Sequence, residues 1–389
     1  MRESPAAIER ARWAVAVIFL VNGVVMGTWA AQIPLLEERL EISHSTLGIA
    51  LLTMALGALV AMPLTGMFIA RFGSAAVTRA ATPVLLLAFP VSLLAPGPSL
   101  LMVALFFYGG ANGVMDVAMN AHAVTVERKL GRPVMSSFHG MWSLGGLIGA
   151  AWAAVLLPWM SPVAEAFLAV GIGALAAFAA LSFFLSSTSD RGSIGTKIAL
   201  PNKATLGIGI LCFLGMMSEG AVLDWGALHL RGSLDVGPGV AATGFAAFSA
   251  SMAVSRFSGD RLRGRMGSVA LVRWSGCLAA AGLVVALLAP WPVLAIAGFA
   301  AVGLGLANLV PVLFGAAGRI PGQAPGAAIA ALATIGYAGF LVGPPVIGFV
   351  ADATSLTLAL GLIFLACLAI AVAANIVEPA ERVAPAAGT

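Results

Sequence analysis

From about residue 12 to residue 377 the chain is an almost unbroken succession of apolar runs, each close to twenty residues long and separated by short polar or Pro/Gly-rich turns. A helix needs roughly 20 apolar residues to cross a bilayer core of about 30 Å, so the pattern predicts an all-α polytopic membrane protein. The strands of a membrane β-barrel would alternate polar and apolar residues, and these runs do not. Composition agrees: 60% of the 389 residues are hydrophobic, 9% are charged, and the mean hydropathy is +1.03, which is outside the range of water-soluble chains.

Hydropathy predicts twelve spans, near 12–34, 45–70, 79–96, 99–126, 136–158, 163–185, 204–230, 238–258, 268–289, 293–317, 326–350 and 355–377. Arg2, Arg10 and Arg12 precede the first run, but that run is longer than a signal-peptide core, so it is expected to stay in the mature protein. Basic residues orient the bundle, because cytoplasmic loops carry the excess of Lys and Arg. With the N-terminus inside, only Arg39 and Arg231 fall on the outer side, leaving 18 of the 20 Lys and Arg at cytoplasmic ends, Arg256 among them. The expectation is a monomer in a bacterial inner membrane with both termini cytoplasmic. Its net charge of +4 then reports topology, the lipid bilayer is its expected partner, and nucleic acid is not. Cys212, Cys277 and Cys367 each lie alone in an apolar run and the four histidines are scattered, so neither a disulfide, a metal site nor a cofactor is predicted.

Transport folds are commonly assembled from repeats, and the sequence carries one. Arg71-Phe72-Gly73-Ser74 matches Arg265-Met266-Gly267-Ser268 at an offset of 194, and Leu144-Gly145-Gly146-Leu147-Ile148-Gly149 resembles Ala338-Gly339-Phe340-Leu341-Val342-Gly343 at the same offset. Trp29 pairs with Trp225, and Ala111-Asn112 with Ala307-Asn308, at an offset of 196. Four matches in one order predict a duplicated six-helix unit, with an N-terminal bundle over 1–185, a cytoplasmic linker over 186–203 and a C-terminal bundle over 204–389.

Two six-helix halves with an Arg-x-Gly turn after spans two and eight resemble the major facilitator superfamily. The resemblance implies twelve transmembrane helices in two pseudo-symmetric bundles that alternate access to a central cavity. It also implies gating roles for Arg71, Gly73, Arg265 and Gly267. The family places an acid just before the arginine, where this chain has Ala70 and Gly264, with Asp260 nearby. In span four, Gly113-Val114-Met115-Asp116-Val117-Ala118-Met119-Asn120-Ala121 resembles the fucose permease group of proton symporters, which carries an acid followed four residues later by Asn. The stretch Asp116 to Gly140, with Ser136-Ser137-Phe138-His139-Gly140, resembles the YbjJ-like branch more closely. By this resemblance Asp116 stands where the permease group has its coupling acid. Span one lacks that group's second carboxylate, so sugar specificity does not carry over.

A charged side chain at mid-bilayer costs about 2.5–3.5 kcal/mol on insertion scales, so such residues face a cavity or a partner. Deep polar residues are few: Asn22 in span one, Asn112, Asp116 and Asn120 in span four, Glu219 in span seven and Asn308 in span ten. The three in span four recur every fourth residue and form one stripe on a helix. Asp116 and Glu219 are the candidate proton-coupling acids, with His139 a candidate relay at the depth of Asn120. Asn22, Asn112, Asn120, Asn308, Trp29 and Tyr337 are the candidate substrate-binding residues. Asp224, near Trp225, His229 and Arg231, is a candidate outer-gate or interfacial acid. For each of these a purely structural role stays open, since Asn and Asp also hold membrane helices together.

These features predict a secondary transporter for a small polar solute, with a sugar or sugar-like metabolite as one candidate, coupled to protons. The alternatives are a proton-driven exporter of small molecules or drugs and a non-transporting membrane sensor. An enzyme is not expected, because the sequence has no His-rich cluster, no Gly-x-Ser-x-Gly elbow and no Walker loop.

Overall fold

A computed structural model describes residues 4–132, 134–186, 203–317 and 325–378, the side chains of 136, 203–204, 260–261 and 325–331 excepted. The predicted linker over 186–203 therefore lies almost wholly outside the described residues. Thirteen α-helices follow one another, with no strand among the described residues. The first six are α1 (Pro5–Leu40), α2 (His44–Phe72), α3 (Ser74–Ser92), α4 (Pro98–Leu130), α5 (Met135–Leu156) and α6 (Pro162–Leu181). The remainder are α7 (Lys203–Leu234), α8 (Pro238–Met266), α9 (Ser268–Leu288), α10 (Pro292–Leu306), α11 (Leu309–Ala317), α12 (Pro325–Ala353) and α13 (Leu356–Val372), with a closing 3-10 turn over Ala373–Val377.

Local sequence sets many of the boundaries. Proline opens α1, α4, α6, α8 and α10, where its missing N–H has no helical partner to lose. Side-chain oxygens of Ser4, Ser43, Ser161 and Ser355 cap α1, α2, α6 and α13. The repeated Arg-x-Gly-Ser turns have a backbone cause. Gly73 and Gly267 end α2 and α8 at φ 85° and 76°, in the region that favours glycine, and Ser74 and Ser268 each begin the next helix, buried.

Among the described residues, eleven helical stretches are long and apolar enough to cross a membrane, counting α10 and α11 as one. Of the twelve predicted spans, the exception is α8, which has the length but carries Arg256, Asp260, Arg261, Arg263 and Arg265 along its second half. Span ten is not continuous; it breaks between α10 and α11 at Ala307-Asn308.

The helices pair in two equivalent sets. In the first half α1 packs on α5, α2 on α4, and α3 on α4 and α6; in the second, α7 packs on α12, α8 on α10, and α9 on α10 and α13. Each partner is the one the duplication assigns. The halves meet through α5 against α8 and α2 against α12, a pair of contacts related by the same repeat.

Glycines let α1 and α5 touch backbone to backbone. A Cβ built on Gly23 would stand 2.1 Å from the Trp142 carbonyl oxygen, and one on Gly145 would stand 2.1 Å from that of Leu20. Gly27 and Gly149 are as tight, at 2.2 Å from the carbonyl oxygens of Gly146 and Val24. The outward surface is apolar, with Leu59, Val60, Met67, Phe107, Leu175, Leu288 and Val293 exposed, as expected where lipid replaces water.

At the end of the bundle that holds the α1–α2 turn, the halves are joined by polar contacts. Arg231 on α7 pairs with Glu38 on α1, and the Ser45 N–H donates to Asp352 Oδ2 at 3.0 Å. His44 Nδ1 lies 2.5 Å from Glu37 and its ring stands edge-on to Trp225.

Candidate functional site

The stripe predicted on the fourth span is present on α4. Asn112, Asp116 and Asn120 are all half-buried, and Asp116 reaches across to the other half. The Asn120 amide donates to Asp116 Oδ1 at 3.1 Å and to the Asp116 carbonyl at 2.8 Å. Across the molecule, the Tyr337 hydroxyl on α12 donates to Asp116 Oδ2 at 3.1 Å. Among the described residues Asp116 has no cationic partner, so its two acceptor bonds come from uncharged donors.

One turn along α4, Asn112 joins a second network. The Trp142 indole N–H on α5 donates to Asn22 Oδ1 at 2.7 Å, and Asn22 Nδ2 donates to Asn112 Oδ1 at 2.9 Å. Three helices of the first half are thus tied together by one chain of bonds. The α1–α5 glycine contact places Trp142 within reach of Asn22.

A third group is built around Arg256 on α8. Its guanidinium donates to Ser143 Oγ on α5 at 2.7 Å, lies 3.4 Å from Glu219 Oε1 on α7, and reaches the Ala307 carbonyl at 3.5 Å. Both charged side chains are nearly buried. Glu219 is therefore neutralised within its own half, while Arg256 bridges to the other. Ser143 in turn donates to the His139 carbonyl at 3.3 Å. The His139 ring is exposed and stands edge-on to Phe19; it makes no contact with Asp116.

These groups are assembled on helices with the packing of a known family. The sequence profile of the Major Facilitator Superfamily matches residues 15–319. The chain is also 36% identical, over 92% of its own length and 94% of the other's, to an uncharacterized MFS-type transporter of Yersinia pestis. This chain is a transporter of the major facilitator superfamily. It is likewise 36% identical to membrane protein MosC of Rhizobium meliloti, over 89% of this chain and 85% of that one. Among solved structures, a mutant of the nucleoside transporter NupG superposes with a TM-score of 0.77 at 13% identity, covering 94% of this chain and 99% of that one. The fucose:proton symporter FucP of E. coli superposes with a TM-score of 0.62 at 16% identity, over 94% and 98%. At these identities the two structures establish the fold.

Arg256, counted among the basic residues at cytoplasmic ends, turns its side chain into the bundle toward Glu219. Other candidate residues of this transporter sit away from the three groups or at their edge. Trp29, expected at the substrate site, is fully buried inside the first half, against Phe89 and Tyr108. Asn308 is buried and commits its amide to Ser255, donating to Oγ at 2.9 Å and to the carbonyl at 3.3 Å, which ties the α10–α11 break to α8. Asp224 is buried and does not pair with Arg231, which reaches Glu38 instead. Arg71 lies over the Phe72 ring at 5.2 Å, and Arg265 is exposed at the equivalent turn. The Asp260 side chain lies outside the described residues.

Trp142, Ser143 and Arg256 were missed as site residues. Only Arg256 left a signal, an arginine inside the otherwise apolar run Ala253-Val254-Ser255-Arg256-Phe257.

Proposed function

We propose that this transporter moves a small polar solute into the cell together with protons, by alternating access between halves spanning 1–185 and 204–389. The observation that carries the reading is the Asp116–Tyr337 hydrogen bond, which joins a carboxyl of one half to a hydroxyl of the other. An ionised carboxylate accepts such bonds about twice as strongly as a neutral one. A proton arriving on Asp116 therefore weakens its hold on Tyr337 and loosens one tie between the halves. In this way proton binding acquires different free energies in different conformations, which is the requirement for coupling. Glu219 already has Arg256 as counter-ion, whereas Asp116 has no cationic partner among the described residues and reaches across to the other half, so we assign the coupled proton to Asp116.

Orientation follows from the arginine bias, which puts the α1–α2 turn and the Arg231–Glu38 pair on the outer side. The described conformation is then closed outside, with both termini in the cytoplasm of a bacterial cell. The run from Asp116 to Gly140 supports placement in the YbjJ-like branch of the family.

The test uses purified protein in proteoliposomes loaded with the pH dye pyranine and challenged with D-xylose, D-glucose, myo-inositol, D-gluconate and uridine. Internal acidification on adding one of these outside supports symport. Alkalinisation supports the exporter reading, and an unchanged signal with every probe contradicts proton coupling.

A further inference from the structure

The chain of hydrogen bonds that starts at Trp142 ends on an unused donor. An indole N–H can only donate, so the Asn22 atom 2.7 Å from it is the amide oxygen. The Asn22 nitrogen then points the other way and donates to Asn112 Oδ1 at 2.9 Å. With its oxygen committed, Asn112 turns its amide nitrogen outward, and among the described residues that nitrogen donates to no protein atom. Asn112 is half-buried and lies one turn along α4 from Asp116, whose carboxyl meets Tyr337 of the other half, and this shared helix face directs the free N–H groups toward the space between the halves. Flipping either amide would set donor against donor, and the close backbone approach of α1 to α5, where Gly23 leaves no room for a Cβ beside the Trp142 carbonyl, holds the Trp142 backbone beside Asn22. Asn308, the counterpart of Asn112 in the other half, has no such freedom because its nitrogen is taken by Ser255.

We propose that Asn112 is a specificity residue that donates to an oxygen of the solute, with Trp142 and Asn22 as positioning residues that fix its polarity. The proposal rests on the transport reading above and narrows its substrate. Asp116 lies one turn along the same face, at a spacing of about 6 Å, and offers acceptor oxygens. The matching solute is an uncharged polyhydroxylated compound, with an acceptor oxygen for the Asn112 N–H groups and a donating hydroxyl for Asp116. A compound whose polar groups can only donate, such as a diamine, meets the Asn112 N–H groups unfavourably and is refused.

The test is a thermal-shift comparison on purified protein, with xylitol, D-xylose and myo-inositol as polyol probes and putrescine and cadaverine as diamine probes. Polyols are expected to raise the melting temperature of the unaltered protein by about 2–4 °C near saturation, and diamines are not. Asn112→Asp, which cannot donate, should reverse that preference. The decisive variant is Asn22→Asp: it still accepts from Trp142 but has no donor, so Asn112 must turn to bond to it and present its oxygen to the solute. The same reversal is expected without touching Asn112, which a merely structural Asn22 would not produce. If Asn22→Asp fails to fold, Asn112→Asp decides alone. Diamine stabilisation of the unaltered protein, or an unchanged preference in the folded variants, overturns the proposal. A null result with all three polyols overturns the solute class alone, because the proton-flux assay fails only if no probe of any class moves protons.

Discussion

Asp116 on α4 and Tyr337 on α12 belong to opposite halves of the transporter, and the hydroxyl of one donates to the carboxyl of the other at 3.1 Å. Replacing Tyr337 by Phe removes that donor and keeps the ring that packs near Phe340. A hydrogen bond to a charged group contributes about 1.5–3 kcal/mol, so proton-driven accumulation is expected to fall roughly tenfold or more in Tyr337→Phe. The variant should stay folded, its melting temperature lowered by no more than about 6 °C, and flux at several pH values in proteoliposomes provides the check.

Glu219 and Arg256 form a nearly buried pair at 3.4 Å. Removing one partner of such a pair leaves an uncompensated charge and costs about 3–5 kcal/mol, whereas removing both is often close to neutral. Arg256→Gln alone should therefore destabilise the protein strongly, and Glu219→Gln with Arg256→Gln should recover most of the loss. A double-mutant cycle on thermal stability in detergent measures this, with additive losses as the contrary result.

The pair between Arg231 and Glu38 ties α7 to α1 at the α1–α2 end, and the Glu38 side chain is largely exposed. Exposed pairs are worth about 0.2–1 kcal/mol. Glu38→Gln should accordingly shift the balance between closed and open states by no more than about fivefold. The readout is the rate at which a cysteine introduced near Ser45 reacts with a membrane-impermeant thiol reagent, and a charge-swapped pair should restore the original rate.

The glycine contact between α1 and α5 has no room for a side chain. Gly145→Val should reduce the yield of folded, monodisperse protein severely, because overpacking costs about 1–3 kcal/mol even where neighbours can shift, and here the neighbour is backbone. Gly66 on α2 has nothing within 4 Å of a built Cβ, so Gly66→Ala should be neutral or slightly stabilising. Fluorescence-detected size exclusion compares the two directly.

Some of this architecture could be read from residues alone. Spans were legible because a bilayer imposes a length on each apolar run, and the halves because Gly73 and Gly267 occupy the same unusual backbone region and so keep the same residues. The α4 stripe was legible because helical periodicity places Asn112, Asp116 and Asn120 on one face. What hydropathy does not give is the direction a residue faces around its helix. Trp29 on α1 and Asn308 at the α10–α11 break are both buried, and the partners they touch, Tyr108 and Ser255, each belong to the same half as the residue itself. Arg256 was counted among the cytoplasmic cations because it lies near the end of its run, and only the fold shows its guanidinium turning inward to Glu219. The Tyr337 bond to Asp116 joins residues 221 positions apart, and no local pattern encodes it.

The central claim is that Asp116 carries the coupled proton, and Asp116→Asn tests it most directly. The measurement is uptake of a radiolabelled solute from the probe panel into proteoliposomes, once with an imposed pH gradient and once as counterflow without one. The account predicts that the variant exchanges solute by counterflow yet no longer accumulates it when the gradient is applied. Gradient-driven accumulation by Asp116→Asn equal to that of the unaltered protein would contradict it.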